Sequence, residues 1–318
     1  MKHIYVSPHS DDVALSCGGQ IISNSAHASD SMVLNVFASE ISAEIDKINQ
    51  DGKLFHGSIS HSRVTEDQSA WEYLKISAEW LNIPEAILRN KFPFQILNRL
   101  NDSVVIAKIY QKILHYCEKY PDATFYFPAG FGNHVDHLAC RAVAFSLLDE
   151  GVLDKIVLYE DVPYCWLRFI RNQSYTALLS RVEFERDSHV KAFRTNGADI
   201  LRYLGRRMAP FPRGKKLFAL VYGSLVISNA LRERARTKPY CGKVNLIELS
   251  NAVVKQKKNL IYHYKSQLPM LFGSNPDRLL RDYRQSFATE VTIEIYTKTL
   301  GPRKRGASKS DATAKLAC

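Results

Sequence analysis

The chain has 318 residues, 46% of them hydrophobic and 11% aromatic. It can bury a full core and repeats at no fixed period, which excludes a disordered chain and a solenoid. Its six cysteines form no C-x-x-C pair, which argues against a cysteine zinc site and reads as reduced thiols of a cytoplasmic protein. Net charge is +11, from 43 Lys and Arg against 32 Asp and Glu. That balance favours an anionic partner; with no helix-turn-helix, finger or aromatic platform, nucleic acid is not expected.

From the amino end, "HIYVSP" (3–8) reads as a buried strand, and Val13, Ala14, Cys17, Ile21 and Ile22 then follow at helical spacing. Ser7 to Asp12 interrupts the first apolar run, so no secretion signal is expected. "MVLNVFAS" (32–39) is a second strand, followed by a surface loop. Val64, Ala70, Trp71, Leu74, Ala78 and Leu81 predict a helix over 63–81, and Val105, Ile109, Ile113, Leu114 and Cys117 predict another over 102–120. "TFYFPAG" (124–130) is a strand, "HLACRAVAFSLLDEG" a helix closed by Gly151, and "DKIVLYEDVPY" a further strand.

Later come a helix near 180–205, a basic linker with Pro210 and Pro212, a helix near 246–265 and a strand over 290–299. The longest apolar stretch, 218–227, is about half of what a membrane span needs, so no transmembrane segment is expected. This alternation predicts an α/β fold, a Rossmann-like, doubly wound, mostly parallel sheet with helices on both faces. The expected division is an α/β core over 1–165, a cap or extension of the same domain over 166–300, and a basic disordered tail over 301–318.

Two polar clusters follow strands: His9, Asp11 and Asp12, and then His134, Asp136 and His137 in "GNHVDH". Each alone could be a helix cap, with Ser10 or Asp11 capping the first helix and Asp136 favoured by the dipole of the later one. Together they say more. Strand ends far apart in sequence meet at the switch point of a doubly wound sheet, where His9, Asp12 and His137 can converge. Two histidines and a carboxylate with an open position describe a catalytic zinc site, leaving Asp11 and His134 for acid and base work. A dinucleotide site is disfavoured because Val135 stands where the third glycine after Gly130 and Gly132 should be.

"SPHSDDVALSCGG" and "GNHVDH" resemble the two metal-site motifs of the PIG-L/LmbE-like deacetylases. "RVTEDQSAWEYLKI" is similar to that family's R-x-x-E-x-x-x-A-x-x-x-L segment at Arg63, Glu66, Ala70 and Leu74, and "KKNLIYHYKSQ" to its late segment ending in Ser266 and Gln267. The resemblance implies that His9, Asp12 and His137 hold Zn2+ or another divalent metal and that Asp11 is the general base. His134 would be general acid or, protonated, a support for the oxyanion, with Asp136 orienting it; Arg63 would reach the sugar or its phosphate.

The implied reaction is zinc-dependent hydrolysis of the N-acetyl amide of an N-acetylglucosamine-type conjugate, small or linked to lipid or nucleotide, and anionic. Another N-acyl or thiol-conjugate amide, and a non-catalytic sugar-binding role, stand as alternatives. The departures from the family are Val13 for a frequent glutamate, Ser10 for proline, Lys75 for a frequent glycine, and the segment 84–101. Tyr159, Tyr164, Tyr262 and Tyr264 could line a sugar site, and Glu160 and Asp161 are expected as polar contacts to it.

Overall fold

A computed structural model of the chain describes residues 2–24, 30–38, 61–91, 93, 99–166, 168–185, 239–268, 271, 277 and 287–298. Its strands are β1 (His3–Ser7), β2 (Ser31–Asn35), β3 (Ser77–Trp80), β4 (Thr124–Pro128), β5 (Lys155–Tyr159), β6 (Val182–Phe184), β7 (Tyr240–Glu248) and β8 (Thr289–Thr297). The helices are α1 (Asp12–Ser23), α2 (His61–Leu74), α3 (Arg99–Lys119), α4 (Val135–Asp149), α5 (Arg168–Leu179) and α6 (Asn251–Ile261).

All eight strands form one sheet in the order β3-β2-β1-β4-β5-β8-β7-β6. β3 through β5 are parallel; β8 runs antiparallel to β5 and β7, and β6 is parallel to β7. Alternate residues of the parallel strands feed two cores. Ile4, Leu34, Phe127 and Leu158 pack with Ile109 and Ile113 of α3 and Val143 and Leu147 of α4 on one face. Tyr5, Val33, Tyr126 and Val157 pack with Val13 and Cys17 of α1, Trp71 of α2 and Leu260 of α6 on the other. This is the doubly wound α/β arrangement expected, because strands buried on both faces are apolar throughout.

Three expected helices need correction. The helix beginning near 63 stops at Leu74, and Ala78 belongs to β3. Lys75 adopts φ 57, its N–H bonds Glu72 O at 3.0 Å and the Ile76 N–H bonds Trp71 O at 3.0 Å, a Schellman end that places the next residues in line with β2. Leu81 likewise lies outside a helix, its N–H bonding Asn35 O. Of the helix expected near 180–205, 182–184 is β6 and 186–205 lies outside the described residues, while 168–179 forms a helix. The helix placed near 246–265 starts only at Asn251, with Ser250 capping Val253 N, because 240–248 is a strand. The extension after 165 is thus partly sheet. The Pro210–Pro212 linker, the stretch 218–227 and the tail 301–318 lie outside the described residues.

The extension is sewn to α1. Glu290 of β8 accepts from the Gly19 N–H at 2.7 Å and the Gln20 N–H at 2.6 Å, and pairs with Lys257 of α6 at 2.7 Å in a fully buried setting. A side chain on Gly19 would meet Leu249 at 2.3 Å and the Glu290 carboxylate at 2.8 Å, so both would have to move to admit it.

Candidate active site

With β2 on one side of β1 and β4 on the other, the chain leaves β1 and β4 at the point where the winding reverses, and their carboxyl-end loops lie side by side. In the first loop the Ser7 hydroxyl accepts from Val13 N at 3.2 Å and donates to His9 O at 2.5 Å, while Asp12 Oδ2 accepts from His9 N at 2.8 Å. Asp11, the N-cap residue of α1, makes no side-chain cap bond, so the helix-cap alternative does not describe it. Ser7 caps the helix instead, leaving Asp11 available.

In the second loop Gly132 and Asn133 take φ 88 and 58, and a side chain on Gly132 would lie 2.5 Å from the Tyr164 ring. His134 follows as the cap of α4, its Nδ1 accepting from Asp136 N at 3.3 Å. That bond leaves the proton of a neutral His134 on Nε2.

These loops bring His9, Asp12 and His137 together. Asp12 Oδ2 lies 3.2 Å from His9 Nδ1 and 3.3 Å from His137 Nε2. Ligands 2.0–2.1 Å from a tetrahedral ion stand about 3.3 Å apart, so the spacing fits a zinc-sized cation. The outer nitrogen of each histidine meets its own carboxylate: His137 Nδ1 lies 2.6 Å from Asp161 Oδ1, and His9 Nε2 lies 3.1 Å from Asp136 Oδ2. Such carboxylate–histidine pairs set ring orientation in metal sites. One nitrogen each from His9, His134 and His137 also fall within 4.8 Å of one another, so His134 borders the same point.

Asp11, Asp12, Asp136 and Asp161 are all buried here, a local excess of negative charge that a divalent ion would balance. Burial pushes the Asp11 carboxyl up to about 6; Asp12 adds to the shift, and Arg63 and His9 oppose it. Burial also acts on Asp12, but His137 and His9 outweigh it and hold that carboxyl far below the usual range. For His137 burial opposes protonation, yet Asp12 and Asp161 raise it to about 9. His134 goes the other way: burial, reinforced by His9, pushes it well below the usual imidazole range. A protonated His134 is therefore not what this setting favours.

Other expected residues are placed differently. The Asp136 carboxylate faces His9, with His134 Nδ1 4.0 Å away. Glu160 and Asp161 do not face a sugar: Glu160 is buried against Arg171 and Tyr175, and Asp161 is held by Phe131 N at 2.7 Å and by His137. Asp161 is the main residue that sequence reasoning misassigned; its position just past β5 marked it as near the site but not which way it turned. Of the four tyrosines, Tyr164 stands edge-on to His137 at 6.0 Å. Tyr159 donates to Val6 O, Tyr264 to Asp67, and Tyr262 to Asp277.

Arg63 pairs with Glu85 at 2.7 Å and donates to Gln267, and Glu66 accepts from the Ser266 N–H and hydroxyl. The two outlying segments of the resemblance thus touch each other. Glu85 thus balances the charge of Arg63 within the chain.

Residues 4–148 match the family model described as PIG-L, GlcNAc-PI de-N-acetylase. This part of the chain is similar to the PIG-L family. It contains both histidine clusters and every proposed ligand. The 2'-N-acetylparomamine deacetylase of Niallia circulans is 27% identical over 187 residues, 51% of this chain; the match covers 66% of that relative, just short of two thirds.

In fold, the chain is similar to the zinc-inhibited form of teicoplanin deacetylase Orf2, with a TM-score of 0.58 and 17% identity over 95% of this chain and 100% of that one. It is similar too to the A40926 pseudoaglycone deacetylase Dbv21, with a TM-score of 0.56 and 17% identity over 94% and 99%. Among the described residues no helix is long and apolar enough to cross a membrane.

Proposed function

We propose that the protein is a zinc-dependent deacetylase that hydrolyses the N-acetyl amide of an N-acetylglucosamine-type sugar conjugate, releasing acetate and the free amine. The observation that carries this is the convergence of His9, Asp12 and His137 at metal-ligand spacing, with the buried Asp11 adjoining them in the chain. The PIG-L match over 4–148 and the deacetylase relatives support the choice of an acetamide.

His9 Nδ1, Asp12 Oδ2 and His137 Nε2 would hold the ion, which supplies Lewis acidity to water and to the amide carbonyl. Asp11 takes the proton of the attacking water, a role that its raised pKa suits near neutrality. His134, neutral and with its proton on Nε2, donates a hydrogen bond to the developing oxyanion, worth about 3 kcal/mol for a well-placed donor. Asp11 then returns its proton to the departing nitrogen, so the amine leaves neutral. Asp161 and Asp136 hold the two imidazoles in register. Arg63, with Glu85 and Gln267, forms a mixed donor and acceptor edge suited to sugar hydroxyls.

The test is acetate release by the zinc-loaded protein across N-acetylglucosamine conjugates, lipid-linked and nucleotide-linked ones included. Release from at least one is expected; release from none, with zinc bound, would overturn the sugar assignment in favour of another amide.

A further inference from the structure

The segment 84–91, where the sequence departs from the family pattern, packs directly behind the metal centre. A 3-10 turn over Ile87–Arg89 presents Arg89 to the fully buried Asp136 carboxylate, which its Nη2 contacts. Asp136 also accepts from Ala86 N at 3.0 Å. The guanidinium lies 5.2 Å from the Phe37 ring, with Nη1 3.9 Å from Asp102. Pro93 O, just beyond, accepts from Val135 N at 2.7 Å. The segment is therefore fastened to the first turn of α4 by backbone and side chain together.

The two histidine supports differ in what secures them. Asp161, behind His137, is held by the backbone N–H of Phe131. Asp136, behind His9, is held from this divergent segment by the Ala86 N–H and, in addition, by the Arg89 side chain. We infer that Arg89 is a positioning residue of the metal centre: its Nη2 fixes Oδ1 of the Asp136 carboxylate, whose Oδ2 pins the outer nitrogen of His9 and so aims His9 Nδ1 at the ion. Without that support the imidazole can rotate about χ2, exchanging the nitrogen that faces Asp12 for a carbon. A lysine would keep the charge but not the planar guanidinium that also lies against Phe37. The inference rests on the reading of His9, Asp12 and His137 as ligands.

The test uses Co2+ as the probe, added to metal-stripped full-length protein, with its Kd from chelator competition and its visible absorption spectrum. Arg89→Gln is expected to stay folded by circular dichroism, raise Kd about 10- to 100-fold and alter the visible bands. Arg89→Lys should fall between the two. A folded Arg89→Gln with wild-type Kd and spectrum would overturn the inference. Should Arg89→Gln fail to fold, Arg89→Lys decides: a raised Kd supports the role, and a wild-type Kd refutes it. Wild-type protein that takes up no Co2+ would instead sink the ligand reading on which the inference stands.

Discussion

The parallel strands β3-β2-β1-β4-β5 and the later strands β8-β7-β6 share one sheet but treat their buried polar groups in opposite ways. Beyond the carboxyl ends of β1, β4 and β5, carboxylates and imidazoles gather around one point, and Asp11 keeps its carboxyl free of side-chain partners among the described residues. In the later half the buried Lys257 and Glu290 satisfy each other and two backbone N–H groups of α1. One half keeps charge available for chemistry, and the other uses charge to close the fold. The contrast predicts that substitutions in the first change activity more than stability, and the reverse in the second.

The largest effect is expected at Asp11. Asp11→Asn should lower kcat about 10²- to 10⁴-fold while zinc content and thermal midpoint stay at wild-type values; loss of zinc would mean that the two adjacent aspartates have been assigned the wrong way round. Because burial raises this carboxyl to about 6, the base is ionised above that pH, and kcat/KM should fall as pH drops through it. A profile flat down to pH 4 would remove Asp11 as base.

Next, Lys257→Met leaves Glu290 buried without its cation and should cost about 3–5 kcal/mol in a urea titration. The folded fraction should retain near-normal kcat; a loss of turnover in fully folded protein would erase the distinction between the halves. Asp161→Asn should weaken zinc about 10- to 100-fold by removing the support behind His137, with competition by a chromophoric chelator as the measurement. Lys75→Gly should act in the opposite direction. It relieves a left-handed backbone at the end of α2 and should stabilise by about 0.5–1 kcal/mol, read from the denaturation midpoint, with activity unchanged.

The first half of the fold was legible because each of its signals is local and complete. β1 and β4 are short apolar runs, each followed within a few residues by a polar cluster and then a helix-spaced segment. β3 was not legible because it has only four residues, partly exposed, and the helix before it ends at a lysine where a glycine would have signalled the stop. β7 alternates buried and exposed residues but runs through Ser250 into α6 with no break in apolar spacing.

At the site, spacing alone brought out His9, Asp12 and His137, since two motifs at strand ends constrain each other. It could not separate Asp161, which backs a histidine, from a carboxylate that faces substrate, because that depends on a side-chain direction across strands. Arg89 had no motif at all. Its position follows from a turn that only the packed structure reveals.

The bond from Glu290 to α1 has a consequence for order in time. Asp12 opens α1, and the residue that pins Gly19 of the same helix lies 271 positions later in the chain. At synthesis rates of 5–20 residues per second, roughly 15–50 s separate the two on the ribosome. The helix that Asp12 opens stays unanchored at Gly19 throughout that interval, although Asp12 is among the first residues made.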